Sequence, residues 1–337
     1  MKHNLQRNSQ KVWALLTVMV IAAMLLSGCG QAKPKVYHVG ILSGFDFQGS
    51  VPEGFKDAMA ELGYIEGTNI IYDLQETHGV DMQAYQDIVQ KFIDDEVDLI
   101  LSFPTEASMV AKEVAEGSGV PVLFSYAASE GLVESVQTPG GNITGVRYPL
   151  TDVGVRRFEV TLQLVPDAKK ILVPYFTDYP ILPPQFEAIA PLAEAAGVTI
   201  IQAPVTTGEE MQAFLDELLA EGEPDIDAIM FLIGPAGVVP DIVSVVAQFS
   251  EEYQIPVTTN LIFPDDTWTI ADVNIAYDVS GELAAPLADK IFQGVPAGTI
   301  PVVTPNPYLY INLNAAQKLG LEVPEEMMLL ANEIVHN

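Results

Sequence analysis

The chain has one cysteine, Cys29, in 337 residues, and that alone excludes an intrachain disulfide. Positive charge is scarce: 15 Lys and Arg stand against 45 Asp and Glu, for a formal net charge of −30. A chain so acidic offers no basic face to nucleic acid or to an anionic membrane surface. There are only four histidines, His3, His38, His78 and His336. The sequence has no Ser-His pair, no His-x-x-x-His, no Gly-x-x-x-x-Gly-Lys and no Gly-x-Gly-x-x-Gly, so the usual hydrolytic, zinc and nucleotide signatures are missing. No apolar run reaches the roughly 20 residues that a spanning helix needs. The acidic pairs and triplets Asp94-Asp95-Glu96, Glu209-Glu210 and Asp265-Asp266 lack the spacing of a calcium loop and read as solvated surface. No metal, no cofactor and no catalytic residue is expected, and the chain is read as a non-enzyme.

Near the start, Lys2, Arg7 and Lys11 precede an apolar run from Val12 to Leu26, and Leu26-Ser27-Gly28-Cys29 follows. A basic segment, a short apolar segment and small residues before a cleavage point make a secretory leader. With the cysteine placed there, the stretch resembles a bacterial lipobox, which implies lipidation at Cys29. Several acyl chains on one residue, at about 0.8 kcal/mol per buried CH₂, would hold the protein at the membrane. Loss of a leader over residues 1–28 removes three basic residues and no acidic ones, leaving 12 Lys and Arg and deepening the net charge from −30 to −33. A tether, 29–35, would join the anchor to the folded body, placing it outside the cytoplasmic membrane. A signal anchor that merely contains a cysteine is the plainer alternative.

Nearly half of the residues are hydrophobic, and the apolar runs are regularly spaced. Strands are expected at Val36–Leu42, Asn69–Leu74, Val97–Leu101, Val120–Phe124, Asn142–Val146, Lys170–Pro174, Val198–Ala203, Asp227–Leu232, Pro256–Thr258 and Tyr308–Leu313. Most are separated by stretches with helical periodicity, such as Phe55, Met59 and Leu62 before Gly63. Strand–helix alternation predicts an α/β fold with parallel sheets. A weak internal echo, Val97-Asp98-Leu99-Ile100 against Ile226-Asp227-Ala228-Ile229, suggests two similar halves in tandem.

Ligands of open parallel sheets bind beyond the carboxyl ends of the strands. That rule selects Ser43, Phe45, Asp46, Ser102, Phe103, Thr105, Ser125 and Tyr126 in the first half. In the second half it selects Tyr175, Tyr179, Gly234 and Asn260. Aromatic rings with a few short polar groups suit a small organic molecule, although each ring could instead pack its own loop. Glu106, in the first turn of a helix, is expected to serve the helix dipole rather than a ligand.

Several stretches together resemble the substrate-binding lipoproteins of ATP-binding-cassette importers, in the branch that includes tryptophan- and tyrosine-binding members. They are Gly63-Tyr64-Ile65-Glu66-Gly67-Thr68-Asn69, Pro139-Gly140-Gly141-Asn142-Ile143-Thr144-Gly145-Val146 and Ile311-Asn312-Leu313-Asn314-Ala315-Ala316. The resemblance implies the type I periplasmic-binding fold: two Rossmann-like lobes with parallel sheets, joined by three crossings, with the ligand between them. Lobe 1 would comprise 36–148 and 275–300, lobe 2 149–274 and 301–334. It implies a monomer that closes by a hinge on a small, aromatic or apolar, amino-acid-like ligand and delivers it to permease and ATPase subunits. The alternative is a ligand-sensing lipoprotein that docks on a signalling receptor. The chain departs from the family pattern where Glu106 replaces a proline, and at Ile233-Gly234-Pro235 and Thr259-Asn260, where an acidic residue is often found. Asp46, Asp178 or Asp278 would supply the missing charge, or the ligand is less polar.

Overall fold

Alternation along the central strands determines how the first sheet is covered. The computed structural model describes residues 35–44, 49–177, 179, 181–220, 222–259 and 268–336. The expected leader, the expected lipidation site at Cys29 and most of the expected tether therefore lie outside the described residues, as do Phe45, Asp46, Asp178 and Asn260. Strands β1 (Tyr37–Ser43), β2 (Ile70–Glu76), β3 (Leu99–Phe103), β4 (Val122–Ala127) and β5 (Ile143–Arg147) form a parallel sheet in the order β2-β1-β3-β4-β5. Val39, Ile41, Leu99, Leu101 and Phe103 pack with Phe55 and Met59 of α1 (Ser50–Glu61). Leu42, Ile100, Val122 and Phe124 pack with Tyr85, Val89 and Phe92 of α2 (Met82–Asp94) and Val110 of α3 (Thr105–Val114). Both faces are covered, so these strands read as continuous apolar runs rather than alternating ones.

The second sheet has seven strands in the order β12-β11-β10-β9-β8-β6-β7. They are β6 (Lys170–Tyr175), β7 (Thr199–Pro204), β8 (Ala228–Met230), β9 (Val257–Thr259), β10 (Thr269–Asn274), β11 (Tyr308–Asn312) and β12 (Glu333–Val335). Every pairing is parallel except β10 with β11. Helices α4 (Leu150–Leu164) and α5 (Leu182–Ala196) supply Phe158 and Ile189 to one core. Helices α6 (Gly208–Leu218) and α7 (Pro240–Tyr253) supply Met211, Leu215, Ile242 and Val246 to another.

After β10 the chain returns to the first lobe as α8 (Tyr277–Phe292), which packs on α1 and β4. The helices meet backbone to backbone: a Cβ on Gly54 would lie 2.2 Å from Asp278 O, and one on Gly281 would lie 2.1 Å from Val51 O. Only glycine permits that approach. Val302 and Val303 then run along the first sheet, where Val303 exchanges backbone hydrogen bonds with Gly145 and Arg147. The chain next crosses to β11, α9 (Leu313–Lys318), α10 (Glu325–Leu330) and β12. The fold is thus α/β, with two lobes joined by three crossings.

The sequence echo has a structural counterpart. Asp98, just before β3, accepts a 2.8 Å hydrogen bond from His38 N at the start of β1. Asp227, just before β8, accepts one of the same length from Lys170 N at the start of β6. In each lobe an aspartate at the foot of one strand fixes the foot of its neighbour. Three elements had no sequence signal: β10, α10 and β12. In β10, Thr269, Asp272 and Asn274 are polar yet buried, which hides the strand's apolar pattern.

Candidate ligand-binding site

Side-chain contacts bridge the carboxyl ends of the strands in the two lobes. Tyr179, in the loop after β6, donates its hydroxyl to Glu106 Oε1 of α3 at 2.9 Å. Burial, and then the Glu106 carboxylate, raise the Tyr179 phenol well above the ordinary tyrosine range, so it stays a donor. Glu106 does lie in the first turn of α3, as a dipole-serving carboxylate should, but its hydrogen bond goes to the opposite lobe.

Thr105, beside it, is half-buried and accepts from Ala128 N at 2.9 Å, which joins the start of α3 to the loop after β4. Gly44, at the end of β1, donates its N–H to Phe103 O at 2.9 Å. A Cβ on Gly44 would lie 2.6 Å from Pro104 Cδ and 2.8 Å from the Tyr85 hydroxyl, so the loops after β1 and β3 are closely packed.

A second cluster sits where the crossings pass. Asn274 Oδ1 accepts from the Tyr126 hydroxyl at 2.8 Å, from the Tyr148 hydroxyl at 2.7 Å and from Ile275 N at 2.8 Å. One amide oxygen therefore ties the end of β4 to the first and second crossings. The Tyr126 ring packs edge-on against Tyr148 at 4.7 Å and tilted against Tyr277 at 4.5 Å. Tyr126 holds a φ of +47°, a left-handed conformation that costs energy for a non-glycine residue and persists only where the surroundings impose it. Burial raises the phenols of Tyr126 and Tyr148 far above their usual range and pushes Tyr277 up to about 12. The nearby Asp272 carboxylate adds to the effect on all three.

Asp272 lies at the carboxyl end of β10, level with Thr259 of β9. Arg157 of α4, fully buried, reaches beneath it. Nη1 donates to Phe231 O at 2.8 Å, Nη2 donates to Val273 O, and Nη2 lies 3.8 Å from Asp272 Oδ1. Two backbone carbonyls and a carboxylate compensate the guanidinium for its loss of water. Asp272 and Asn274 are functional candidates that the sequence reading missed, because the strand carrying them was not recognised.

The remaining expected residues divide into those the structure turns inward and those it leaves near the cleft. Ser102 and Phe103 are fully buried. The Ser102 hydroxyl lies 3.1 Å from Ser108 Oγ, and Phe103 belongs to the core under α1 and α8. Ser125 is also fully buried and bonds Ser280 of α8 at 2.8 Å. Ser43 is buried at the end of β1. Tyr175 packs edge-on against Phe186 of its own lobe at 5.3 Å, the role weighed against ligand contact for each ring. Gly234 is half-buried near Tyr179 and Leu182, on a loop fixed by Gln185, which exchanges hydrogen bonds of 2.9 and 3.0 Å with Ile233. Asp278 is exposed at the start of α8. Among the described residues, no group of three His, Cys, Asp or Glu side chains is placed to hold a metal ion.

The sequence profile described as "ABC transporter substrate binding protein" matches residues 44–335. The chain belongs to this family. A tyrosine-binding protein of Clostridioides difficile (strain R20291) is 25% identical over 315 residues, 88% of each chain. A Streptococcus pneumonia domain solved in complex with L-Trp superposes with a TM-score of 0.75 at 21% identity, over 89% of this chain and all of that one. A ligand-free, open substrate-binding protein with adhesive properties from Clostridium difficile gives a TM-score of 0.69 at 24% identity, over 90% of this chain and all of that one. The region between the two lobes is the candidate ligand site of this ABC transporter substrate-binding protein. There the described residues provide the Glu106–Tyr179 bridge above and the Tyr126–Tyr148–Asn274 junction below.

Proposed function

We propose that this chain is the membrane-tethered receptor of an importer. It works outside the cytoplasmic membrane, held by lipidated Cys29, and hands a small aromatic or apolar, amino-acid-like ligand to permease and ATPase subunits. Lobe 1 would hold one end of the ligand near Thr105 and Tyr126, and lobe 2 would meet it near Tyr179 and Gly234. The expected break after 300 would fall instead after 303, since Val303 bonds Gly145 and Arg147 of the first sheet, giving lobes of 36–148 with 275–303 and 149–274 with 304–334. The observation that carries the reading is the Tyr179–Glu106 hydrogen bond, which joins the loop after β6 to the first turn of α3 across the two lobes. A ligand seated there would touch both lobes and so favour the closed arrangement by its differential affinity.

The test is a thermal-shift screen of amino acids, aromatic acids, aromatic amines and nucleosides, since a ligand that binds only the folded state must raise the Tm. Native mass spectrometry of freshly purified protein would identify a co-purifying solute. A panel with no binder would refute the receptor reading for these classes. Retention of a Cys29→Ala variant in the membrane fraction would refute the anchor.

A further inference from the structure

Taking the inter-lobe cleft as the ligand site, as proposed above, we infer that it selects a primary amine with an aromatic or apolar body and no carboxylate, and that Glu106 makes the selection. The first turn of α3 presents free backbone N–H groups and the positive end of a helix dipole, where an anionic ligand group would otherwise settle. The Glu106 carboxylate stands in that turn and is joined to Tyr179 from the facing lobe. A ligand carboxylate brought there would meet a like charge.

Among the described residues, Arg147 and Arg157 are held by other partners. Arg147, at the end of β5, donates through Nε to Thr304 Oγ1 at 2.7 Å and lies 3.6 Å from Asp152. Arg157 is buried beneath Asp272 and engaged with Phe231 O and Val273 O. His78 is exposed on the loop after β2.

The same features suit an ammonium. An ionised carboxylate accepts about four hydrogen bonds, and Tyr179 uses one of them. The rings of Tyr126, Tyr148 and Tyr277, packed together where the crossings pass, suit an aromatic or apolar body. The charge absent from Ile233-Gly234-Pro235 and Thr259-Asn260 is thus supplied from α3 of the first lobe.

Two ligand pairs that differ only in the carboxylate test the inference: tyramine against L-tyrosine, and tryptamine against L-tryptophan. Each is titrated calorimetrically into the intact soluble body, wild type and Glu106→Gln. The variant keeps an oxygen for Tyr179 and removes the charge. The amines should bind the wild type about tenfold or more tightly than their amino acids, since like charges brought together at an interface are strongly disfavoured. Glu106→Gln should shrink or invert that ratio. Amino acids that bind the wild type as tightly as the amines would overturn the inference and leave the receptor reading intact. So would an amine preference unchanged by Glu106→Gln. Failure of all four probes, with binding of another solute in the screen, would overturn the inference alone; failure of every solute would overturn both.

Discussion

Replacing Asn274 by alanine removes the acceptor shared by the Tyr126 hydroxyl, the Tyr148 hydroxyl and the Ile275 amide. All three donors sit in or beside the buried junction of β4 with the first two crossings. A buried donor left without a partner costs about 1–3 kcal/mol, so three donors at the low end give a loss of about 3 kcal/mol. For a chain of this size each kcal/mol moves the Tm by about 2–4 °C, which predicts a fall of about 6 °C or more. Urea unfolding followed by circular dichroism should show the same loss with an unchanged slope. The coupling can be isolated with Tyr148→Phe. In that background Asn274→Ala should cost about 1 kcal/mol less, because one of the three donors is already gone. A loss below about 1 kcal/mol for the single variant, or full additivity in the cycle, would refute the shared-acceptor reasoning.

Other expectations follow from the same geometry. Tyr179→Phe deletes its hydrogen bond to Glu106 of the facing lobe. A bond to a charged group contributes about 1.5–3 kcal/mol, and half-exposure puts this one at the low end, so ligand affinity should fall about tenfold with little change in the Tm of the free protein. An unchanged affinity would show that the bridge does not favour closure. Arg157→Met leaves the Asp272 carboxylate beside an apolar side chain and two carbonyls without their donors. A loss of about 3–5 kcal/mol in denaturant unfolding is expected, and a neutral outcome would remove Arg157 from the structural framework. Alkaline titration should find the Tyr126, Tyr148 and Tyr277 phenols protonated in the folded state above pH 10, with Tyr277 near 12. Because their folded values exceed the unfolded one, the stability they contribute is complete below pH 10. It then declines by about 1.4 kcal/mol per pH unit for each phenol as pH rises toward the folded values. Full ionisation at 295 nm by pH 10.5 with the fold intact would contradict this.

The strands β1, β3, β4 and β6 were legible as apolar runs because a strand covered on both faces needs little else, and the helices between them followed from spacing. The same locality explains what the sequence concealed. β10 is fully buried yet carries Thr269, Asp272 and Asn274, and a buried polar residue reads as a loop residue until its partner is known. Tyr126, one of those partners, lies 148 positions away. Ser102 and Ser125 had the look of ligand groups at strand ends, but their hydroxyls meet Ser108 and Ser280, the latter 155 positions along the chain. Glu106 was correctly placed in a first turn, while its contact with Tyr179 spans 73 positions and two lobes.

Periodicity is a property of neighbouring residues, so composition and spacing sufficed for the α/β class, the succession of most strands and helices along the chain and the acidic, cation-poor character of the molecule. The pairing of buried polar groups is a long-range property. Only the folding of distant segments against one another could show that Glu106 faces the opposite lobe, that Asn274 joins the crossings, and that Asp272 rests on Arg157.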